Sequence, residues 1–197
     1  MNKLKLALSQ TQGSYGENTY APLAVGCLWS YARTFPEIKE TWDDPIFLYK
    51  KEPIEDALQR IGEPPEILAF SDYCWNHEWN KAAAIMMKTY NPKTTILFGG
   101  VHVPDKPTKE WWDKHWYVDF LIHGEGEQPF ADFLREYAGN RDWSKVAGLS
   151  SREFQNERKF APLEKLTSPY LDGTFDKLLP LEPRWQVLAE TNRGCPY

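Results

Sequence analysis

Five short apolar segments alternate with helix-forming segments along the first two thirds of the chain, and this alternation leaves few possible folds. The apolar segments read KLKLALSQ, PIFLYKK, PPEILAFSDY, KTTILFGG and VDFLIHGEGE. Continuous apolar runs of this length indicate strands that are buried on both faces of a sheet. Helices between such strands act as crossovers, which makes the strands parallel. We therefore expect an α/β fold, a Rossmann-like (flavodoxin-like), doubly wound parallel sheet of five strands.

The pattern weakens after Gly139. The segment VAGLSSRE can form one more short strand, but residues from about 154 to 185 contain many prolines and show little periodicity. Such a composition is typical of a connecting segment. We expect an α/β domain over residues 1–148 and an extended linker, or strap, over residues 149–186.

Composition excludes several classes of protein. The formal net charge is −5 and there is no long basic run, which disfavours nucleic acid and anionic membranes as partners. No apolar stretch approaches the ~20 residues that span a bilayer, and the apolar run at the start is too short for a signal peptide. The three cysteines, Cys27, Cys74 and Cys195, are scattered and odd in number, which argues against a disulfide framework. We expect a cytoplasmic protein.

Polar and glycine-rich loops follow four of the predicted strands: SQTQGSYG, SDYCWNH, GGVHVP and HGEGEQP. In an open parallel sheet, ligands bind beyond the carboxyl ends of the strands. Gly99 and Gly100 either let a ligand approach the backbone or form a tight turn. Ser71 either donates to a ligand or caps the following helix. His102 and His123 lie at the same edge, where an isolated histidine is most often an ordinary polar loop residue.

Other loop features point to structural roles. The loop HGEGEQP has no lysine, so it is not a Walker-type phosphate loop, and its glutamates complement a helix dipole. Cys27 falls on the apolar face of a predicted helix, whereas Cys74 lies in a ligand-side loop with nothing near it that marks a nucleophile. The sequence has no His-x-x-x-His or Cys-x-x-Cys pair and so predicts no self-contained zinc site.

Three segments taken together, ILAFSDY, ILFGGVHVPDKP and VDFLIHGEGEQPFADFL, resemble the cobalamin-binding domain that precedes the barrel of many radical S-adenosylmethionine (SAM) enzymes. The resemblance covers roughly residues 1–140. SPYLDGTFD and VLAETNRGCPY resemble the linker and the first strand that lead into that barrel. The resemblance implies that residues 187–197 begin a truncated radical SAM domain, so that the chain is an N-terminal piece of a longer enzyme.

The same resemblance assigns the cofactors. Cys195 matches the first cysteine of a Cys-x-x-x-Cys-x-x-Cys motif that holds a four-iron four-sulfur cluster, and the second would fall at position 199, beyond the end. The chain alone is therefore expected to bind no cluster, to cleave no SAM and to contain no catalytic residue. The nucleotide tail of cobalamin would enter a slot at Gly99 and Gly100, with Ser71 helping to bind it. The full set of cofactor-binding residues that the resemblance implies is Thr11, Gln12, Ser71, Asp72, Tyr73, Gly99, Gly100, His102, Gly124, Glu125 and Gly126.

The first loop departs from one pattern of that family. Many cobalamin domains carry Asp-x-His-x-x-Gly there, and its histidine ligates cobalt, whereas the loop SQTQGSYGEN contains neither histidine nor aspartate. We therefore expect cobalamin without histidine ligation from this loop. Water, the side chain of Gln12 or Tyr15, or no ligand would face the cobalt. His77, His102 and His123 are the candidates if imidazole ligation is found.

Three functions follow from these patterns. The first is the cobalamin-binding domain of a radical SAM enzyme, most often a methyltransferase that uses methylcobalamin on an unactivated carbon or phosphorus centre. Its further partner would be the missing barrel, and the iron–sulfur cluster and SAM would belong only to the complete enzyme. The second is a scaffold or substrate-recognition domain of the same fold that has lost cobalamin. The third, a flavodoxin-like domain for another nucleotide, is disfavoured by the acidic, lysine-free loops.

Overall fold

A six-stranded sheet forms the centre of the molecule, in a computed structural model that describes residues 3–13, 16–159 and 166–190. The strand order is β3-β1-β4-β5-β6-β7, and a separate small sheet pairs β2 with β8. The strands are β1 (Leu6–Gln12), β2 (Thr19–Tyr20), β3 (Ile46–Lys50), β4 (Ile67–Ser71), β5 (Thr95–Gly99), β6 (Phe120–Ile122), β7 (Leu149–Ser150) and β8 (Trp185–Gln186). All neighbours from β3 to β6 are parallel, which confirms the expected α/β architecture.

Helices cover both faces of the sheet. They are α1 (Leu23–Ala32), α2 (Pro36–Thr41), α3 (Ile54–Ile61), α4 (His77–Tyr90), α5 (Lys109–Lys114) and α6 (Glu127–Ala138). Trp29 of α1 and Phe130 of α6 share one core cluster with Leu8, whereas Ala83 of α4 shares the other with Ala7. Successive strand residues thus face opposite layers, as the pleat of a strand requires. Among the described helices, none combines the length and the apolar character needed to cross a bilayer.

The sheet has one strand more than the five that the sequence predicts. Leu149 and Ser150 pair antiparallel with β6 at the edge of the sheet. The chain turns into this strand at Gly148, whose φ is +66°. A Cβ atom on Gly148 would lie 2.9 Å from the carbonyl oxygen of His123, so the two strands approach here because the residue is glycine. A strand of two residues has no periodicity, and its pairing with β6 is what defines it.

The segment predicted as an extended strap packs closely onto the sheet domain. Phe175 and Leu178 are buried together with Tyr49 in a third apolar cluster. The backbone of Trp185 pairs with Thr19, which joins the segment to the loop after β1. Residues 166–190 therefore form a packed cover, which consists mainly of turns and includes a short 3-10 helix at Leu179–Leu181.

Phe175 fits against helix α1 at Gly26. A Cβ atom at Gly26 would overlap the Phe175 ring, so the cover docks against bare backbone. We expect Gly26→Ala to lower the free energy of unfolding by about 0–2 kcal/mol, because overpacking costs about 1–3 kcal/mol and the gain in helix propensity offsets about 1 kcal/mol. Urea unfolding measures this difference.

Two further variants sharpen that test. Gly13→Ala is the matched control, because a Cβ atom there meets nothing within 4 Å. Phe175→Leu shortens the side chain opposite Gly26, so Gly26→Ala should cost less in that background than in the wild type. An equal effect of Gly26→Ala in the wild-type and Phe175→Leu backgrounds would show that the cover does not pack on α1 in this way.

Candidate ligand cleft at the carboxyl edge of the sheet

A cleft of about 950 Å³ opens at the carboxyl ends of β4, β5 and β6. Its position follows from the parallel register, in which Ser71 pairs with Gly99 and Gly99 with Ile122, so that three strands end side by side. Helix α1 and the start of helix α6 form its walls, and residues 188–190 of the C-terminal cover line it as well. This is the edge where open parallel sheets bind ligands.

Most of the residues expected from the sequence lie in this cleft. Those that line it are Ser71, Tyr73, Gly99, Gly100, Gly124, Glu125 and Gly126. Thr11, Gln12, Asp72 and His102 are not among the lining residues. Thr11 is fully buried, and its hydroxyl finds no hydrogen-bond partner among the described residues. Cys195 and Tyr15 lie outside the described residues.

Gln10, rather than Thr11 or Gln12, brings the first strand to the cleft. Its side-chain carbonyl accepts hydrogen bonds from the backbone N–H groups of Ala24, at 2.8 Å, and Val25, at 3.4 Å. No side chain at Pro22 caps helix α1, so Gln10 satisfies these amide groups from a neighbouring strand. The interaction fixes the start of α1 against β1, and nothing in the local sequence pattern predicts it.

The two glycines after β5 have different roles. Gly99 has ordinary strand geometry, and a Cβ atom there would meet only Ile122, at 3.5 Å from the carbonyl oxygen. Gly100 has a φ of +102°, and a Cβ atom there would lie 2.6 Å from the carbonyl oxygen of Asp72. Glycine at 100 is therefore required by the fold itself, whereas a side chain at Gly99 would project at the cleft without disturbing the sheet.

A buried polar network lies beside the cleft, where β1 and β4 end. The Asp72 carboxylate is 2% exposed, and it accepts a hydrogen bond from the Asn80 amide at 2.8 Å. The Asn76 side-chain amide donates to the carbonyl oxygens of Thr11, at 3.2 Å, and Ser71, at 3.0 Å. Asn76 and Asn80 are spaced by four residues at the start of α4, so they share one face of the helix. That spacing is the signal in the sequence that could have revealed them.

Two histidines meet at the outer side of this network. His77 Nδ1 lies 2.8 Å from the second carboxylate oxygen of Asp72. The rings of His77 and His102 are 4.5 Å apart between centroids. The backbone N–H of His102 donates to the carbonyl of Asp72 at 3.2 Å, which holds the two loops together. His102 was expected in the cofactor site, and the structure places it with Asp72 and His77 instead of on the cleft wall.

Two aromatic side chains stand at the same edge. The rings of Tyr73 and Trp75 stack with centroids 4.5 Å apart and planes 7° apart, and Trp75 is 51% exposed. Flat exposed aromatic surface next to a cleft is suited to an extended ring ligand. Sequence reasoning placed Tyr73 in the site but did not single out Trp75.

The loop after β6 closes the other side of the cleft. Gly124 has a φ of +77°, and Gly126 immediately precedes helix α6. A Cβ atom on Gly126 would lie 2.8 Å from Leu28 Cδ2, so this glycine lets α6 pack against α1. Glu127 is in the first turn of α6, where its charge suits the helix dipole.

His123 is a buried, neutral member of the cleft lining. It is 2% exposed, and Nε2 lies 2.5 Å from the Ser150 hydroxyl. Nδ1 has no hydrogen-bond partner within the described part of the chain. Burial lowers the pKa of the imidazole, and the positive charge of Arg158 lowers it further against the opposing effect of Asp105. Burial and the charge of Arg158 thus disfavour the protonated ring, and only Asp105 favours it.

The two cysteines within the described residues form no disulfide with each other. Cys27, expected in the core, is half-buried and lines the cleft. Cys74 is exposed in the loop after β4, as the sequence predicts.

Fold and cleft together define an α/β domain of the open, doubly wound type with a candidate ligand cleft at the carboxyl edge of its sheet. No protein-family model matches the chain. The chain is 35% identical over 194 residues to the 2-(S-pantetheinyl)-carbapenam-3-carboxylate methyltransferase of Streptantibioticus cattleyicolor, which covers 90% of this chain. It is 34% identical over 194 residues to the cobalamin-dependent radical SAM methyltransferase TokK of Streptomyces tokunonensis, which covers 92% of it. The chain spans 28% of the length of each of these relatives.

Solved structures show the same fold. The cobalamin-dependent SAM radical enzyme OxsB, with aqua-cobalamin and SAM bound, matches 98% of this chain with a TM-score of 0.71 and 18% identity. Its apo form matches 99% with a TM-score of 0.70 and 17% identity. In both cases the match covers 27% of the OxsB chain. At this level of identity the likeness confirms the α/β fold class.

The lowered pKa of His123 predicts a pH dependence of stability. The unfolded chain takes up the proton near pH ~6.5, whereas the folded chain does so only at a lower pH. The contribution of His123 to the free energy of unfolding is therefore fully present above about pH 6.5. It is lost as the pH falls further, by at most ~1.4 kcal/mol per pH unit. Urea unfolding at about pH 7.5 and 5.5 should show a greater loss for the wild type than for His123→Asn. Parallel pH profiles of the two proteins would contradict the assignment.

Proposed function

We propose that this chain is the cobalamin-binding domain of a radical SAM enzyme, and that the enzyme is a methyltransferase. The observation that carries the proposal is a glycine-lined cleft at the carboxyl edge of the sheet, in a chain that is similar to TokK. The similarity covers 92% of this chain. TokK is named as a cobalamin-dependent radical SAM methyltransferase, and the matched part is 28% of it. The comparison shows only the similarity to this part of TokK. That the chain belongs to a longer methyltransferase is what we propose.

The cleft is the site that we propose for the nucleotide tail of cobalamin. Its volume of about 950 Å³ lies within the range of ligand pockets, about 300–1,000 Å³. Ala69, Leu97 and Ile122 give it apolar walls, and the Ser71 hydroxyl supplies a polar group beside Gly99. A ligand can approach the backbone at Gly99 because no side chain stands there. We assign the tail to this cleft, with the corrin at the edge near Tyr73.

The chain contributes binding and orientation, and the cofactor contributes the reactive group. Bound as methylcobalamin, the cofactor would supply the methyl group for transfer. The apolar walls would exclude water from the tail, and the polar network of Asp72, Asn76 and Asn80 holds the loop that carries Tyr73. The first loop contains no histidine, so we propose that it provides no imidazole ligand to cobalt.

A domain of the same fold that has lost cobalamin is the alternative. Thr11 and Gln12 were expected to contact the cofactor, and their absence from the cleft lining favours this alternative. Equilibrium titration of the chain with hydroxocobalamin separates the two functions. Saturable one-to-one binding, with a change in the visible spectrum of the corrinoid, supports the cobalamin domain.

Gly99→Val tests where the tail lies. The added isopropyl group would project into the cleft, and we expect hydroxocobalamin affinity to fall by about 5- to 150-fold, since overpacking costs about 1–3 kcal/mol. The apo fold should persist, because a Cβ atom at Gly99 makes only ordinary contacts. Gly100→Val is a poor probe, because it would displace the Asp72 backbone as well.

Thr95→Val is the matched control for Gly99→Val. It introduces the same side chain at the opposite end of the same strand, away from the cleft. Its affinity for hydroxocobalamin should equal that of the wild type, and circular dichroism should show both variants folded. Equal affinity of Gly99→Val and the wild type would mean that the tail binds elsewhere.

Cys195 provides a test of the radical SAM assignment in the longer polypeptide. We propose that it is one of three thiolates that hold the iron–sulfur cluster. After anaerobic reconstitution, Cys195→Ser should lose the cluster, as judged by iron and sulfide content and by electron paramagnetic resonance. Cys27→Ser and Cys74→Ser should keep it, because these residues belong to the α/β domain. A full cluster in the Cys195→Ser protein would refute the role of this residue.

A further inference from the structure

We propose that Asp72, His77 and His102 form a binding site for a divalent transition metal of the zinc class, separate from the cofactor cleft. One donor atom from each residue lies within 4.8 Å of the other two. Two imidazoles and a carboxylate are a ligand set that zinc and its neighbours in the first transition row accept. The site goes beyond the proposed function and does not depend on it.

Asp72 is fixed in place as a ligand. It is 2% exposed, and Asn80 Nδ2 holds its Oδ1 atom at 2.8 Å, which directs Oδ2 to His77 Nδ1. Asn80 therefore stands behind the carboxylate in the way that outer-shell groups orient metal ligands. A buried carboxylate accepts hydrogen bonds but donates none when ionised, so it needs a cation or donors around it. Among the described residues, no lysine or arginine forms an ion pair with Asp72.

The loop of His102 is fixed against the loop of Asp72 through the backbone. Asp72 N–H donates to the carbonyl of Gly99 at 2.6 Å, and His102 N–H donates to the carbonyl of Asp72 at 3.2 Å. Gly100 makes this approach possible, because any Cβ atom there would meet the Asp72 backbone at 2.6 Å. Main-chain contacts therefore fix the backbone of His102 next to Asp72, and this proximity does not depend on a surface side-chain rotamer.

The distances suit a small ion. A tetrahedral zinc site with bonds of about 2.0–2.1 Å separates its ligand atoms by about 3.3 Å. The donor atoms here are 2.8 Å apart for Asp72 and His77, and at most 4.8 Å apart in the whole set. Shifts of about 1.5 Å or less would complete the geometry, and His102, which is exposed and whose ring lies against that of His77 itself, has room to make them. Three protein ligands leave at least one position for water or another ligand.

Cobalt(II) and zinc(II) are the probes for this site. Untagged protein, stripped with a chelator and free of corrinoid, is titrated with Co²⁺ while its visible absorption is recorded, and Zn²⁺ is then added in competition. We expect one Co²⁺ per chain, displaced by Zn²⁺. His102→Ala should weaken binding by more than roughly tenfold, since loss even of an outer-shell group costs about 10- to 100-fold. His102 is exposed, so this variant should fold normally.

His115→Ala is the matched control, because His115 stacks on Trp111 outside the cluster. It should bind Co²⁺ as the wild type does, and X-ray absorption of the zinc complex should count two imidazole ligands. Gly99→Val should also keep the metal site, whatever it does to corrinoid binding, so the two proposals fail separately. Absence of stoichiometric Co²⁺ binding, or equal affinity of the His102→Ala and His115→Ala proteins, would overturn the proposal.

Discussion

The approach of Gly100 to Asp72 is the contact on which the whole carboxyl edge depends. Here the backbones of the loops after β4 and β5 are in direct contact. The Asp72 N–H donates a hydrogen bond to the carbonyl of Gly99, and the Asp72 carbonyl accepts one from the N–H of His102. A positive φ and the lack of a Cβ atom are both needed at Gly100. The contact fixes one side of the cleft and, at the same time, joins the loops that carry Asp72 and His102.

The parts of the fold that were predictable are those with a local physical cause. Buried strands such as Ile67–Ser71 must be continuously apolar, and the helices between them must be amphipathic, so the parallel sheet could be predicted. The edge strand Leu149–Ser150 could not, because it exists through its pairing with β6. The packed cover is equally non-local, since Phe175 owes its burial to helix α1 and strand β3.

In the candidate site, too, only the features with a local physical cause were predictable. Gly100 and Gly124 could be found because a positive φ favours glycine where the loops turn, and Gly99 because it ends a buried strand at the ligand edge. Thr11 was predicted to bind the cofactor, and strand β1 places its side chain fully in the interior. Contributions from Gln10 and from residues 188–190 depend on docking between distant segments, which no single-sequence pattern records.

The pairing of β2 with β8 joins residues that are more than 160 positions apart in sequence. Contacts of such separation form late in folding, since the chain must first lose the entropy of a long loop. We therefore expect the sheet and helix α1 to form before residues 166–190 settle against them. Because residues 188–190 line the cleft, we expect its final wall to be completed last, which would give a newly made chain its widest access to a bulky ligand before that step.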